Sequence, residues 1–344
     1  MRTTLKDVAK EANVSAATVS LILNNKAQHI RPETIRRVKK AIKKLNYSPN
    51  SYARFLQKGK TNLLALLVPD LGNEFYTQVA EGALLRAQEE GFLLTLLNFS
   101  QENHAVKELQ VNLSGGQFAG ALVVSRRFDS ILEHLVETID FPIVLLDESI
   151  NTGHSYSLVT GDNSKGGIIA ANYLLDCGHK SFYCILGPQE TPNSIRRLSG
   201  FIKALNLRGY GLPEDHIFFG DYNLQGGYSA GRKISKLLDI ERGPSAIFSL
   251  NDLSAIGCIR ALKESGFEVP TDVSIMGYDH ISIASYLPIQ LTSIDQQAAQ
   301  IGAKGIDTLI NKIKGLEPVD KILIEPILFE GESVMNYYHF PKKE

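Results

Sequence analysis

Residues 4–24 read Thr4-Leu5-Lys6-Asp7-Val8-Ala9-Lys10-Glu11-Ala12-Asn13-Val14-Ser15-Ala16-Ala17-Thr18-Val19-Ser20-Leu21-Ile22-Leu23-Asn24. Leu5, Val8, Ala9 and Ala12 recur at i, i+3, i+4 and i+7, which predicts a short helix from Leu5 to Ala12 with Thr4 at its cap. Asn13-Val14 then makes a tight turn. Ser15 is placed to accept from the free N–H groups of a second helix, Ala16 to Asn24. Val19, Ile22 and Leu23 face inward there, while Ala16, Ala17, Ser20, Leu21 and Asn24 leave a face of small side chains that lets a helix approach base edges. Pro32 opens a third helix, in which Ile35, Val38, Ile42 and Leu45 form the apolar stripe beneath Arg36, Arg37, Lys39, Lys40, Lys43 and Lys44. Three short helices with a basic surface can be an ordinary bundle. The tight turn and the small-residue second helix point instead to a helix-turn-helix that reads double-stranded DNA.

Charge supports this. The chain has 344 residues and a formal net charge of -1, yet residues 1–60 carry 14 Lys and Arg against only Asp7, Glu11 and Glu33. That segment stands at +11 and the remainder at -12, so a polyanion partner is expected for the first part alone. At this length, with 44 % hydrophobic residues, the chain exceeds one small core and is expected to be multidomain. Cys177, Cys184 and Cys258 fit neither a disulfide framework nor the paired spacing of a zinc site. A reducing cytoplasm suits them, and neither metal nor cofactor is expected. The longest apolar runs, such as Leu63 to Val68, are too short to cross a bilayer, so neither export nor membrane insertion is indicated. No nucleophile elbow, P-loop or His-Glu-x-x-His motif is present, so no catalytic residue is assigned. The glycine-rich Gly161-Asp162-Asn163-Ser164-Lys165-Gly166-Gly167 fails the P-loop spacing and reads as a crossover that caps the next helix.

Thr4-Leu5-Lys6-Asp7-Val8-Ala9, Val14-Ser15-Ala16-Ala17-Thr18-Val19-Ser20, Leu23-Asn24 and Asn46-Tyr47-Ser48-Pro49-Asn50, with Ala53 and Leu56, together resemble the LacI/GalR family of bacterial transcription regulators. The resemblance continues through nearly all of the chain. It implies that Ala16 to Asn24 is the recognition helix, with Ala16, Ala17, Ser20 and Leu21 aimed at the major groove and Ser15, Thr18 and Asn24 on phosphates; Thr4 and Asn50 join this set. It also implies that residues 49–61 are a hinge that folds on operator DNA, where Ala53 and Leu56 meet the minor groove and Leu56 wedges between base pairs. Leu21 departs from the family, which often has Arg or His there. Leucine makes no bidentate contact to guanine but packs on a thymine methyl, so operator sequence does not transfer from relatives.

From Asn62 onward apolar strands alternate with amphipathic helices: Leu63–Val68, Glu74–Glu90, Leu93–Asn98, His104–Gly115, Gly120–Val124, Ser130–Thr138, Pro142–Leu146. A second series begins at Asp162 and runs through Ser181–Leu186, Ala246–Ser249 and Ser274–Gly277. The fold class is therefore an all-α N-terminal domain at 1–48 followed by an α/β domain of two lobes with doubly wound parallel sheets at 62–340, like periplasmic binding proteins. By the resemblance, Thr292–Asp295 and Gln297–Lys314 return to the first lobe before Leu323–Phe329 recrosses. Lobe one is then about 62–160 and 291–321, and lobe two about 161–290 and 322–340.

Open parallel sheets bind ligands beyond the carboxyl ends of their strands. Those loops hold Asp70, Asn73 and Phe75, Ser125, Asp147, Tyr222, Asn251 and Asp279, although many such residues only cap helices or form turns. The resemblance adds Arg197, in the segment Asn193-Ser194-Ile195-Arg196-Arg197-Leu198-Ser199-Gly200-Phe201, and Gln296. Acids, amides and an arginine suit adjacent hydroxyls, and Phe75 and Tyr222 suit a sugar's apolar face. A sugar or sugar derivative is the expected effector of a homodimeric repressor. A purine or nucleoside effector is the alternative, and a solute-binding receptor the rival from another class.

Overall fold

The computed structural model describes residues 3–23, 27, 29–47, 61–98, 116–124, 138–148, 156–239, 243–317 and 319–338. The chain divides into two compact units, Met1–Thr61 and Asn62–Glu344. Among the described residues no helix is long and apolar enough to cross a membrane.

In the first unit α1 spans Leu5–Glu11, α2 Ala16–Leu23 and α3 Pro32–Lys44. The start of α1 is a capping box: Thr4 Oγ1 accepts from the Asp7 N–H, and Asp7 Oδ2 accepts from the Thr4 N–H at 2.8 Å. These bonds to Thr4 hold the exposed Asp7 carboxyl below its ordinary value. Ala12 falls just outside the helix as its C-cap, and Asn13 takes a left-handed φ of 50°, a conformation asparagine tolerates better than most residues. Val8, Ala9, Ala12, Val19, Ile22, Val38 and Ala41 form the core. Ile35, Ile42 and Leu45 pack half-buried against it.

The second unit holds two six-stranded sheets. One runs, in spatial order, β11 (Lys321–Ile324), β5 (Ser157–Gly161), β4 (Ile143–Leu146), β3 (Gly120–Val124), β1 (Leu63–Val68) and β2 (Leu93–Asn98). All its pairings are parallel. The other runs β12 (Ile327–Phe329), β10 (Thr292–Asp295), β9 (Ser274–Tyr278), β8 (Ser245–Ser249), β6 (Ser181–Leu186) and β7 (Ile217–Phe219), with only β12 antiparallel. Strands β3, β4, β5, β8 and β9 are buried along their whole length, as expected where helices cover both faces of a parallel sheet. The helices are α4 (Glu74–Glu89), α5 (Asn163–Asp176), α6 (Pro192–Leu207), α7 (Leu224–Ile234), α8 (Asp252–Glu264) and α9 (Ala298–Ile313). The expected helix over 104–115 lies outside the described residues, as do residues 130–137 of the expected helix 130–138 and residues 49–60 of the expected hinge 49–61.

Two lobe boundaries differ from expectation. Thr292–Asp295 stays in the second lobe, because Thr292, Ser293 and Ile294 pair in register with Met276, Gly277 and Tyr278. Residues 321–324 belong to the first, because Lys321 to Ile324 pair with Leu158 to Gly161. The apparent single segment Leu323–Phe329 is therefore two strands in two sheets, broken at Glu325-Pro326. The chain crosses between lobes at Gly161-Asp162, at Gln296-Gln297 and at Glu325-Pro326. Asp162 donates its N–H to the Ile324 carbonyl at 2.8 Å, which ties the first crossing to the third.

Helices α5 and α6 touch backbone to backbone. A Cβ on Gly167 would lie 2.0 Å from the Arg197 carbonyl oxygen, and one on Gly200 2.1 Å from that of Ser164. In lobe one Gly82 and Gly302 make the same reciprocal contact between α4 and α9. No side chain fits there, and its absence fixes the height at which Arg197 leaves α6. Gly200→Ala is expected to cost about 1–3 kcal/mol through overpacking in urea denaturation. Gly211→Ala, where a Cβ meets open space, is expected to stay within about 0.5 kcal/mol.

Candidate functional site

The DNA-facing candidates are laid out by the caps of the first unit. Ser15 Oγ accepts from the Thr18 N–H at 3.1 Å and lies 2.9 Å from Thr18 Oγ1, so Ser15 caps α2 as its sequence implied. Ala17 and Leu21 are exposed, and Ala16, Thr18 and Ser20 half-buried. Leu21 is 43 % exposed although large and apolar, so no intramolecular packing accounts for its outward position. Thr4 is exposed at the α1 cap. Asn24, Asn50, Ala53 and Leu56 lie outside the described residues.

In the second unit a narrow cleft lies between the carboxyl ends of the two sheets. It is lined by Asn73, Phe75, Asp147, Arg197, Tyr222, Asp279 and Gln296, seven of the residues expected from sequence, and also by Tyr76, Glu148, Pro188, Thr191 and Asn193. Asp70 is not in the lining; its Oδ1 accepts from the Gly72 N–H at 2.7 Å in the turn after β1. Asn251 is one step removed. It caps α8 by accepting from Ser254 N–H and donates Nδ2 to the Tyr222 carbonyl at 3.2 Å, bracing the loop that carries Tyr222. Ser125 lies outside the described residues.

The backbone gives the cleft its shape. Asp147, Tyr222 and Asp279 have φ of 69°, 55° and 109°; aspartate tolerates the left-handed region, whereas the bulky Tyr222 adopts it only where surrounding structure compels it. Each follows a strand end, so the kink turns the side chain across the cleft mouth instead of into the next turn. Asn73 caps α4 by accepting from the Phe75 N–H at 3.1 Å, and the Phe75 and Tyr76 rings meet edge to face at 5.2 Å.

Arg197 is the centre of the polar network. Its Nε donates to Asn163 Oδ1 at 2.7 Å, Nη1 to the Leu250 carbonyl at 2.6 Å and Nη2 to Gln296 Oε1 at 3.4 Å, while Asp279 Oδ1 lies 3.7 Å from Nη1. The guanidinium lies 3.8 Å from the Tyr278 ring centroid, within cation–π range. Burial opposes its charge, yet Tyr222, Tyr278, Asp279 and Asp147 around it hold it above the ordinary arginine value. Gln296 Nε2 donates to Asp279 Oδ1 at 2.6 Å, and burial raises the Asp279 carboxyl against the pull of Arg197.

Asn193 joins the lobes. Its Nδ2 donates to Asp147 Oδ1 at 2.7 Å, and its N–H to Glu148 Oε1 at 3.3 Å. Burial pushes the Asp147 carboxyl up to about 6 and the Glu148 carboxyl up to about 8, the latter also through the neighbouring Asp147 charge. Three lining atoms have no hydrogen-bond partner among the described residues: Glu148 Oε2, Thr191 Oγ1 and Tyr222 Oη. Buried polar atoms are rarely left unpaired, so these three mark where a polar ligand belongs. Sequence reasoning reached Asn193 only as part of the Arg197 segment. It missed Glu148 and Thr191, whose one available signal was adjacency to Asp147 and to the Pro192 helix start.

Arg197→Ala leaves Asp279 buried with only Gln296 as partner. It is expected to destabilise the second unit by about 3–5 kcal/mol in chemical denaturation. A carboxyl whose folded pKa is raised holds its proton longer in the folded state, so stability falls as pH rises between the unfolded and folded values. For Glu148 that window runs from its ordinary value of 4.5 to about 8. Denaturation midpoints measured across that range should therefore decline less steeply in Glu148→Gln than in the parent.

Residues 4–50 match the model of bacterial regulatory proteins of the lacI family, and residues 171–334 that of the periplasmic binding protein-like domain. The ribose operon repressor of Escherichia coli (strain K12) is 31 % identical over 96 % of this chain and 99 % of its own length. Catabolite control protein A of Priestia megaterium is 32 % identical over 94 % and 96 %. Among solved structures, the transcriptional regulator CelR–cellobiose complex is 29 % identical with a TM-score of 0.73, over 96 % of this chain and 100 % of that one. The lac repressor dimer bound to operator and the anti-inducer ONPF shares the fold at a TM-score of 0.85 and 24 % identity, over 97 % and 100 %. With a capped helix-turn-helix, two parallel sheets and near full-length relatives above 30 % identity, this chain belongs to the LacI family of bacterial regulatory proteins.

Proposed function

We propose that the protein is a sequence-specific DNA-binding transcriptional repressor, acting as a homodimer in the cytoplasm, whose operator affinity is set by a small hydroxylated effector held in the cleft. The observation that carries this reading is the joint presence of a +11 head with an outward α2 face and a cleft whose buried polar atoms lack partners. Relatives named as the ribose operon repressor and as the CelR–cellobiose complex support a sugar. Buried, free Cys177, Cys184 and Cys258 suit a reducing compartment. The rival reading as a solute-binding receptor leaves the basic head without a task.

In the proposed mechanism two α2 helices enter successive major grooves of a near-palindromic operator, and two copies of residues 49–61 meet between them. Effector changes the angle between the lobes. Contacts that differ between the open and closed cleft then couple to operator affinity. Inter-lobe bonds already present give that coupling a handle: Glu74 Oε1 accepts from the Ser282 N–H at 2.6 Å, and Gln78 Nε2 donates to the His280 carbonyl at 3.4 Å.

Selection from random duplexes followed by gel shift is expected to yield one near-palindromic site, bound more tightly than random DNA by a factor of about 10³ or more. Affinity should fall steeply with salt as phosphate contacts release counterions. Equal retention of selected and random duplex at moderate salt would refute the regulator reading.

A further inference from the structure

The cleft holds more carboxyl groups than its own cations pair. Three carboxyl groups line it, Asp147, Glu148 and Asp279, against one guanidinium, Arg197. Arg197 spends three of its five N–H donors within the protein, on Asn163, Leu250 and Gln296. Asp279 takes Gln296 and Arg197, and Asp147 takes the Asn193 amide. Arg196 is only half-buried and spends Nη1 on Asn193 Oδ1. Glu148 is left over. It is 2 % exposed, its Oε1 has a single long bond from a backbone N–H, and its Oε2 has none among the described residues.

An unpaired carboxylate at that depth costs several kcal/mol. It is relieved by a proton or by a cation on the ligand. An anionic ligand adds a like charge beside these carboxyl groups. Phe75, Tyr76 and Tyr222 also line the cleft, and aromatic rings favour a cation, while Thr191 Oγ1 and Tyr222 Oη are hydroxyl partners for hydroxyls on a ligand.

We propose that the effector is a polyhydroxylated molecule bearing a basic nitrogen, an amino sugar or amino polyol, whose ammonium group is received by Glu148 Oε2. This rests on the effector reading above and narrows it. The ligand exchanges an N–H⁺···O⁻ contact for the proton that Glu148 otherwise holds, so at neutral pH binding releases a proton to solvent. The charged or titratable groups facing Glu148 are Asp147 on its own loop, Arg196 and Arg197 on α6, Tyr222 after β7 and Asp279 after β9. Burial raises the Asp147 and Asp279 carboxyls as it raises that of Glu148.

The test is calorimetry and thermal shift on the full-length protein with matched trios across the pentose and hexose series: each neutral sugar, its amino-deoxy derivative and its phosphate ester. One amino derivative is expected to bind about tenfold or more tightly than its neutral parent, the ratio of a charge-assisted to a neutral hydrogen bond. Phosphate esters are expected not to bind. Heats compared in two buffers of different ionisation enthalpy should show a proton released, and Glu148→Gln should abolish the amine preference. A neutral or phosphorylated hit with no amino counterpart overturns this inference and leaves the effector reading intact, as does an amine preference unchanged in Glu148→Gln. The two-buffer measurement on the unmodified protein decides the matter if the variant does not fold: no proton released on amine binding overturns it. If no trio member changes stability or operator affinity, both this inference and the sugar reading fall.

Discussion

A guanidinium that is 4 % exposed must be matched on every side, and the second unit is arranged around meeting that demand for Arg197. Leaving such a charge unpaired would cost a large part of the stability of an ordinary domain. Its partners come from four places: Asn163 at the start of α5, Leu250 after β8, Asp279 after β9 and Gln296 at a chain crossing. Each is correct only if the two helices approach at the distance their glycines permit and the strands end in step. The same requirement that holds the lobe together therefore places a polar floor beneath the cleft.

Much of this was legible in the sequence, and the failures have physical causes. The 3.6-residue period of Leu5, Val8, Ala9 and Ala12 and the capping pair Thr4 and Asp7 are local signals, so the first unit reads well from its residues alone. The parallel strands read well where they are long apolar runs. Ser157–Gly161 was not read as a strand, because Ser157 and Thr160 interrupt the apolar pattern and only their burial in the sheet explains them. Thr292–Asp295 and residues 322–324 were assigned to the wrong lobes because a four-residue strand carries no mark of the sheet it joins; pairing with β9 in one case and with the distant β5 in the other decides it.

The cleft shows the same division. Residues at strand ends, such as Asp147, Tyr222 and Asp279, were found because topology points there, and Arg197 because its segment resembles that of a known family. Asp70 and Asn251 fulfil the plainer roles that turns and caps demand. Glu148 and Thr191 escaped, since nothing in a linear sequence says that the loop after β4 lies against the start of α6. Charge tells a complementary story along the chain: the basic head and the acidic remainder separate the part suited to a polyanion from the part that is not.

The three crossings between the lobes have a further meaning. Two of them are joined by the bond from Asp162 to Ile324, and Gln297 Nε2, from the remaining one, donates to the Glu325 carbonyl. Three short chains laced side by side resist stretching, shear and twist far more than they resist bending about the line that contains them. The lobes are thereby left with essentially one soft coordinate, a door on a triple-pinned jamb. Any molecule that fills the doorway, whatever its chemistry, can report itself only as an angle.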